Sequence, residues 1–362
     1  MIKFNGLDRQ YLSLKDEIDP VVSQVYASGR LMNGPYTEKF EHWLAMFNSS
    51  RHAVTVHSGT HALEATAEFY RKQFPYAPTV LIPTLTYRAT ANAFIRAGWN
   101  IRFVDTDRYG LLNFDSLPKE INYEAVVIVG LYGASVAHMG NVQQWQDWLY
   151  RDVIIVEDGA QHWLADCGTR IGSATAVSFD PTKNLACYGN GGAVVTRDGE
   201  LAEFVRRWRT NSMTSGTTVG TNSRMSELDS ALMLVKVNYV LDWQNRRRQI
   251  ATYYNSCFKE SAVKTLISDD MMYHHCFHKF VIEVDNRDQV QQDLYTRGIE
   301  TKIHYDKPLH EEVLYNYYQG PDSLLSCSSA LSRRVLSLPI YPELTDAEVE
   351  YIADQVRQCT AD

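Results

Sequence analysis

The sequence lacks the features that mark membrane-spanning and secreted proteins. Its apolar runs are far shorter than the roughly 20 residues that a transmembrane helix needs. The first residues contain no apolar signal core, and the six cysteines are scattered without a Cys-x-x-Cys pair. We therefore expect a cytoplasmic protein with reduced thiols and neither a disulfide framework nor a zinc site.

An excess of positive charge is also missing. The 35 basic residues are outnumbered by 43 acidic residues, which gives a net charge of −8. A nucleic-acid-binding protein should show a basic face, so we expect no nucleic-acid partner, and no membrane partner either. An anionic small substrate is still compatible with this balance, because a binding site needs only local positive potential.

The chain is long enough for more than one domain. Its 362 residues, 45% of them hydrophobic and 22% charged, predict one large globular domain and a smaller one. We place the division so that residues 1–245 form the large domain and residues 246–362 form the small C-terminal domain.

Short apolar segments alternate with helical segments through the first two hundred residues. This alternation predicts an α/β fold with a mostly parallel sheet covered by helices on both faces. The predicted strands cover residues 53–57, 80–83, 100–105, 125–131, 153–158, 174–179 and 192–196. In such sheets, ligands bind at the carboxyl ends of the strands.

The second half of the chain reads as helix followed by another αβ unit. Apolar residues from Leu228 to Tyr239 recur at helical spacing, which predicts a long helix ending at Arg246–Arg248, with these arginines solvated. Strands are expected over 276–284 and 299–304, on either side of a helix over 289–297. Thr345, followed three residues later by Glu348, predicts the start of a final helix.

Two ionisable residues stand at predicted strand ends. Lys183 follows one apolar run on a turn rich in proline and glycine, and Asp158 ends the preceding strand. A lysine held partly out of water favours the neutral amine that Schiff-base chemistry requires. A pyridoxal 5′-phosphate (PLP) site needs such a lysine, together with an acid that keeps the pyridine nitrogen protonated.

Ser58-Gly59-Thr60 opens a predicted helix directly after a strand. Glycine allows a close backbone approach, and the first N–H groups of a helix form a phosphate site. Alone, this tripeptide is more simply a helix cap. In combination with Lys183 and Asp158, it favours binding of the cofactor phosphate.

The motifs occur together in a characteristic order, and the set resembles the DegT/DnrJ/EryC1/StrS family of PLP-dependent nucleotide-sugar aminotransferases. The resemblance covers nearly the whole chain and rests on the segments 58–63, 83–93, 157–161, 178–185, 220–227 and 304–310. It implies a fold-type-I aminotransferase: a large domain with a mostly parallel seven-stranded sheet flanked by helices, and a smaller C-terminal α/β domain. It also implies a homodimer with shared active sites.

The resemblance assigns a role to each matching catalytic or cofactor-ring residue. Lys183 would attach the cofactor and then move the proton, while Asp158 would pair with the pyridinium nitrogen. Tyr87 would stack on the cofactor ring, for which ordinary core packing is the alternative. Gln161 would donate a hydrogen bond to the phenolic oxygen of the cofactor.

The remaining matches concern the phosphate and the substrate. Gly59, Thr60 and Ser178 would hold the cofactor phosphate, together with Asn222 of the partner subunit. Without the resemblance, Asn222 would be read as a turn residue. The predicted substrate residues are His304, Tyr305 and His310. Their segment resembles the corresponding segment of enzymes that aminate the third carbon of the sugar, with the fourth carbon as the alternative.

The implied reaction has two half-reactions. An amino acid, expected to be L-glutamate, leaves its amino group on the cofactor as pyridoxamine phosphate. A keto sugar carried on a nucleoside diphosphate then accepts that amino group, so ping-pong kinetics are expected.

Three alternatives stay open. Sugar dehydratases of this fold use pyridoxamine phosphate, but they carry histidine in place of the lysine, whereas Lys183 is retained. A non-catalytic homologue would bind PLP or sugar nucleotide as a sensor. A metal site would use His274, His275, Cys276 and His278, although adjacent residues of a strand point to opposite faces and cannot all converge on one ion.

Overall fold

A seven-stranded sheet organises the larger part of the chain. The computed structural model describes residues 1–118, 122–136, 142–165, 171–213, 219–318 and 325–361. The strands are β1 (His52–Val56), β2 (Thr79–Pro83), β3 (Asn100–Val104), β4 (Ala125–Val129), β5 (Ile154–Asp158), β6 (Ala174–Ser178) and β7 (Gly192–Thr196). Their order is β1-β7-β6-β5-β4-β2-β3, and only β7 runs antiparallel to its neighbours. The mostly parallel seven-stranded sheet predicted from the sequence is confirmed.

Both faces of this sheet are buried, which explains why its strands are almost continuously apolar. Side chains alternate between the faces of a strand. In β7, Val194 packs into one hydrophobic cluster, while Ala193 and Val195 pack into another with Phe40 of the helix after residue 34. The sheet is therefore the middle layer of three.

Helices supply the outer layers and the connections. They are α1 (Leu7–Ser28), α2 (Pro35–Phe47), α3 (Gly59–Arg71), α4 (Arg88–Arg96), α5 (Val142–Tyr150), α6 (Gly199–Trp208), α7 (Glu227–Lys236), α8 (Val240–Phe258), α9 (Arg287–Thr296), α10 (Ser326–Ser332) and α11 (Asp346–Cys359). Among the described residues, the helices are too short or too polar to cross a lipid bilayer.

A second, antiparallel sheet lies in the C-terminal part of the chain. Its strands are β8 (Lys264–Thr265), β9 (Phe280–Glu283) and β10 (Val335–Leu338), in the order β10-β9-β8. A separate hydrophobic cluster joins this sheet to α8, α9 and α11. The boundary predicted at residues 245–246 falls inside the continuous helix α8, and the division into two domains stays a prediction.

Three sequence-based expectations about the second half are wrong. Residues 299–304 form only single bridges, because Ile299 pairs with Ile2 whereas Lys302 pairs with Ser337 of a different segment, so no continuous ladder forms. The strand expected over 276–284 begins only at Phe280. The helix expected to end at Arg246–Arg248 instead breaks into a 3-10 turn at Val237–Tyr239 and resumes as α8.

Arg247 is also not the solvated helix end that we expected. Its buried guanidinium donates to the carbonyls of Phe277 and Ile340, at 3.2 Å and 2.5 Å. The start of α11 was predicted correctly: the Thr345 hydroxyl accepts from the Glu348 N–H, and the Glu348 carboxylate accepts from the Thr345 N–H.

Candidate active site

A cavity of about 420 Å³ opens at the carboxyl ends of the parallel strands of the large sheet. The end of β4 and the segments after β1, β2, β5 and β6 line it, as the strand directions require. The predicted residues that line it are Gly59, Thr60, Tyr87, Asp158, Gln161, Ser178, Lys183, His304 and Tyr305. The fold thus brings together residues more than two hundred positions apart in the sequence.

One end of the cavity is shaped for an anion. Ser58 caps α3 by accepting a hydrogen bond from the His61 N–H at 3.2 Å, and Gly59 and Thr60 occupy the first helical positions. The first N–H groups of a helix have no partner within the helix and attract negative charge. A Cβ on Gly59 would lie 2.8 Å from Cβ of Ser178, so glycine is required for this close approach.

Asp158 lies at the end of β5 and is 5% exposed. The hydroxyl of Thr90 donates to Asp158 Oδ2 at 2.7 Å, and the Ala160 N–H donates to Oδ1 at 3.2 Å. The Thr86 and Thr90 hydroxyls lie 3.1 Å apart, which extends this chain of polar groups. The carboxylate therefore has a fixed orientation towards the cavity.

Sequence analysis missed the contribution of Thr90. The available signal was the spacing of Thr86 and Thr90, four residues apart at the beginning of a helix that follows a strand end. Thr86 precedes α4 and Thr90 lies in its first turn, so the spacing brings the two hydroxyls close together. It does not say that they meet Asp158.

Lys183 lies on the turn after β6. Its backbone N–H donates to the Asp180 carbonyl at 2.8 Å, and the Asp180 side chain accepts from the Thr182 N–H and hydroxyl, at 2.9 Å and 2.6 Å. Burial lowers the pKa of Lys183, while the carboxylates of Asp158 and Asp180 oppose that change. The lowered pKa increases the fraction of neutral amine, the form that attacks a carbonyl carbon.

Gln161 is held by the chain after β4. Its Oε1 accepts from the Tyr132 N–H at 2.7 Å, which leaves Nε2 to donate to the Tyr305 hydroxyl at 3.2 Å. Tyr132 in turn donates from its hydroxyl to the His304 carbonyl at 2.6 Å. The two segments that meet here, 131–133 and 304–305, therefore set the orientation of one amide.

His304 and Tyr87 form the outer wall. Burial lowers the pKa of His304 to about 3, so the ring is neutral at physiological pH, and its Nδ1 lies 2.9 Å from the Ser337 hydroxyl. The ring of Tyr87 is 58% exposed, with its centroid 6.1 Å from that of Tyr305.

Two predicted residues lie outside the cavity. Asn222 is exposed, and its side-chain oxygen accepts from the Arg224 guanidinium at 3.2 Å. His310 is buried, with Nδ1 2.7 Å from the Thr84 hydroxyl and Nε2 3.3 Å from the Ser329 hydroxyl. Their assigned roles, a contact from the partner subunit and a substrate contact, stay predictions.

The histidine-rich segment before β9 packs against the active site. Cys276 donates from its N–H to the Gly133 carbonyl at 2.8 Å and from Sγ to the Gln161 carbonyl at 3.0 Å. Its own carbonyl accepts from the Asn184 side chain at 2.7 Å. The described part of the chain contains no group of three or more histidine, cysteine or acidic residues placed to hold a metal ion.

The same segment adds two cavity residues that sequence analysis did not assign, His278 and Lys279. Both are at least 95% buried, and burial is the main cause that lowers the pKa of each. The sequence around Lys279 predicts a strand, but it does not indicate whether the lysine side chain is exposed or lies inside a cavity.

Comparison with known proteins agrees with this geometry. Residues 12–357 match the model of the DegT/DnrJ/EryC1/StrS aminotransferase family. The chain belongs to this family. Its members are PLP-dependent, so the cofactor and the aminotransferase activity predicted from the sequence are confirmed.

The similarity to individual members of the family covers nearly the whole chain. A dTDP-3-amino-3,4,6-trideoxy-α-D-glucose transaminase of Streptomyces venezuelae is 32% identical, over 99% of this chain and 96% of that protein. A dTDP-3-amino-3,6-dideoxy-α-D-galactopyranose transaminase of Aneurinibacillus thermoaerophilus is 30% identical, over 99% of both chains. The crystal structure of S. venezuelae DesV with a ketimine intermediate superposes with a TM-score of 0.91, at 32% identity, over 100% of this chain and 99% of that one. The fold-type-I architecture is thereby confirmed.

Proposed function

We propose that this aminotransferase moves the amino group of L-glutamate to the keto group of a sugar carried on thymidine diphosphate, at the third carbon of the sugar. The observation that carries the proposal is the convergence of Lys183, Asp158 and the amino end of α3 on one cavity. The names of the two curated relatives, each of which specifies a dTDP-linked 3-amino sugar, support the substrate class and the position.

The cavity fits PLP. Because Gly59 has no side chain, the backbone at the start of α3 can hold a phosphate beside Ser178. The buried carboxylate of Asp158 suits a protonated pyridine nitrogen. Gln161 presents its Nε2 as a donor for the phenolic oxygen, in the place where it now meets Tyr305. Bound PLP would supply an electron sink that stabilises negative charge on the carbon from which a proton is removed in each half-reaction.

The side chains of this protein then perform the remaining tasks. Lys183, with its lowered pKa, holds the cofactor and afterwards serves as the base that takes a proton and returns it to a neighbouring carbon. Thr90 and Ala160 hold both oxygens of Asp158, so its carboxylate would meet the ring nitrogen of bound PLP in a fixed orientation.

The active protein, in this proposal, is a cytoplasmic homodimer in which Asn222 of the partner subunit completes the phosphate site. Asn222 lies on the surface, outside the cavity of its own subunit, which is compatible with such a crossing. The five cysteines that the structure describes form no disulfide bond, in keeping with a cytoplasmic protein.

The test uses purified enzyme and the reverse reaction, because amino sugars are stable substrates. The visible absorption of the PLP form should disappear when L-glutamate is added. With 2-oxoglutarate as the acceptor, the enzyme should deaminate dTDP-3-amino sugars faster than the corresponding 4-amino sugars or UDP-linked compounds. Preference for a 4-amino sugar would refute the assigned position. Absence of spectral exchange with any amino donor would support the non-catalytic alternative.

Replacing Lys183 separates the aminotransferase from the dehydratase and sensor alternatives. We expect Lys183→Ala to lower turnover by about 10³-fold or more, since it removes both the point of attachment and the base, while binding of pyridoxamine phosphate is retained. Turnover is measured with 2-oxoglutarate and the amino sugar, and binding by calorimetry. Turnover at the wild-type rate would contradict the role of Lys183.

A further inference from the structure

Lys279 is a buried cation that the proposed cofactor site does not use. Its side chain is 5% exposed and lines the same cavity as Lys183. Among the described residues, no carboxylate forms an ion pair with it; its ammonium instead lies 4.8 Å from the centre of the Phe4 ring. A buried ammonium without a counterion is costly, which indicates a site that an anion completes.

The charges around Lys279 point in the same direction. Lys183 and Arg247 are the cations that act on it, and both lower its pKa further, while Asp180 is the acid that opposes them. His278 and His304, whose pKa values are lowered by burial, are neutral neighbours. Protonation of Lys279 is thus disfavoured in the free protein, and an anion bound beside it would favour the charged form.

The backbone of Lys279 is fixed on the side of the cavity away from the phosphate cradle. Its N–H donates to the Tyr132 carbonyl at 2.9 Å, just after β4, whereas the cradle lies at the ends of β1 and β6. In the strand order, β4 lies two strands from β6, which corresponds to roughly 10 Å. Lys279 therefore belongs to the wall formed beside β4 and not to the segments that form the phosphate cradle.

An amino-acid donor brings at least one carboxylate to this cavity. The donor nitrogen must reach the position of the Lys183 amine, and in an amino acid the α-carboxylate is attached to the carbon that bears this nitrogen. Among the cavity-lining residues that the structure describes, Lys183 and Lys279 are the only lysine or arginine side chains. Because Lys183 attaches the cofactor and transfers the proton, Lys279 is the one left to bind the carboxylate.

We propose that Lys279 binds a carboxylate of the amino donor and so determines the specificity of the first half-reaction. This inference rests on the proposed aminotransferase function. It assigns Lys279 to recognition of glutamate, while the keto sugar of the second half-reaction is bound without it.

The test compares the two half-reactions in Lys279→Met, Lys279→Arg and a control, Lys302→Met. Lys302 is exposed and pairs with Glu300 at 2.8 Å, so its replacement removes an equal charge near the site without entering the cavity. We expect Lys279→Met to raise the half-saturating glutamate concentration about ten-fold or more in single-turnover conversion of the PLP form. Lys279→Arg should retain part of the affinity, and Lys302→Met should behave as wild type.

The second half-reaction, amination of the keto sugar by the pyridoxamine form, should keep its half-saturating sugar concentration in Lys279→Met. A loss confined to this half-reaction, or a lower maximal rate without a change in glutamate affinity, would overturn the proposal. If the wild-type enzyme does not react with glutamate at all, the proposed function fails first, and the two failures are distinguishable.

Binding of glutarate, which has no amino group and cannot react, gives a readout independent of turnover. Because the pKa of Lys279 is lowered in the free protein, a bound carboxylate should draw a proton onto it, seen by calorimetry in buffers of different ionisation enthalpy. We expect this proton uptake in the wild type and its loss in Lys279→Met. Equal affinity and equal uptake in both, or no binding by the wild type, would refute the inference.

Discussion

At the scale of single residues, the orientation of the Asp158 carboxylate depends on a hydroxyl that the sequence motifs did not single out. Thr90 donates to Asp158 Oδ2 at 2.7 Å from the first turn of α4, inside a fully buried environment. A hydrogen bond to a charged, buried acceptor is worth more than one at the surface, because water does not replace it.

We expect Thr90→Val to lower kcat/KM by about ten-fold, because the isosteric change removes this hydrogen bond and keeps the packing. The same change should weaken cofactor binding, measured by titration of the apoenzyme. Thr90→Ser, which restores the hydroxyl, should recover most of both losses. Equal activity of the valine and serine variants would mean that the hydrogen bond does not support catalysis.

At the scale of elements, two helices that both begin with glycine offer a matched comparison. Gly59 opens α3 and Gly199 opens α6, but a Cβ on Gly59 would lie 2.8 Å from the Ser178 Cβ, whereas on Gly199 it would meet its nearest atom at 3.6 Å. The difference isolates the effect of close approach from the effect of helix propensity.

We expect Gly59→Ala to weaken PLP binding by about ten-fold or more, since α3 must shift away from β6 to relieve the contact. Gly199→Ala should leave the affinity unchanged. Cofactor titration of the two apoenzymes checks both, with melting temperatures as a measure of folding. A wild-type affinity in Gly59→Ala would show that the beginning of α3 does not hold the phosphate.

A second element-scale contact joins the two ends of the chain. Arg9 in α1 donates to both oxygens of Glu348 in α11, at 2.8 Å and 2.6 Å, and this bond lowers the pKa of Glu348 from 4.5 to about 2. A lowered carboxyl pKa adds stability that is present above pH 4.5 and is lost as the pH falls through about 2. Because both side chains are partly exposed, the effect is modest.

We expect Arg9→Met to reduce the free energy of unfolding by about 1 kcal/mol at pH 7, with a smaller difference from wild type at pH 3. Denaturant titration at both pH values measures it. Lys15→Met removes an exposed pair with Asp19 on the same helix and should have almost no effect at either pH. A deficit in Arg9→Met that is independent of pH would assign its cause to packing.

At the scale of the whole molecule, the question is whether two subunits share each active site. If Asn222 of the partner subunit completes the phosphate site, a mixed dimer of Lys183→Ala and Asn222→Asp subunits contains one site with both natural residues. Lys183 and Asp158 line the same cavity within one subunit, so the two corresponding variants cannot complement each other.

We expect two inactive variants, Lys183→Ala and Asn222→Asp, to regain activity when refolded or co-expressed together. The regained activity should approach about one quarter of wild type, since half of the dimers are mixed and each mixed dimer has one intact site. A mixture of Lys183→Ala and Asp158→Asn is the control and should stay inactive. If both mixtures stay inactive, Asn222 acts within its own subunit's site. If Asn222→Asp is active by itself, Asn222 lies outside any site.

The sequence by itself determined the family, the mostly parallel sheet and the residues that carry the cofactor chemistry. Strand ends are readable because buried parallel strands are short apolar runs, and ligands gather where these runs stop. This rule alone placed Ser58, Tyr87, Asp158 and Lys183 at one edge, and the structure has all four lining the cavity.

Only the tertiary structure decided which other side chains face that cavity. Thr90, His278 and Lys279 line the site or support it through contacts with segments far away in the sequence, while His310 turns towards Thr84 and Ser329. Local pattern fixes the period and the ends of an element. The rotation of each element and the partners of its polar groups depend on how the whole core packs, because close packing admits few alternatives.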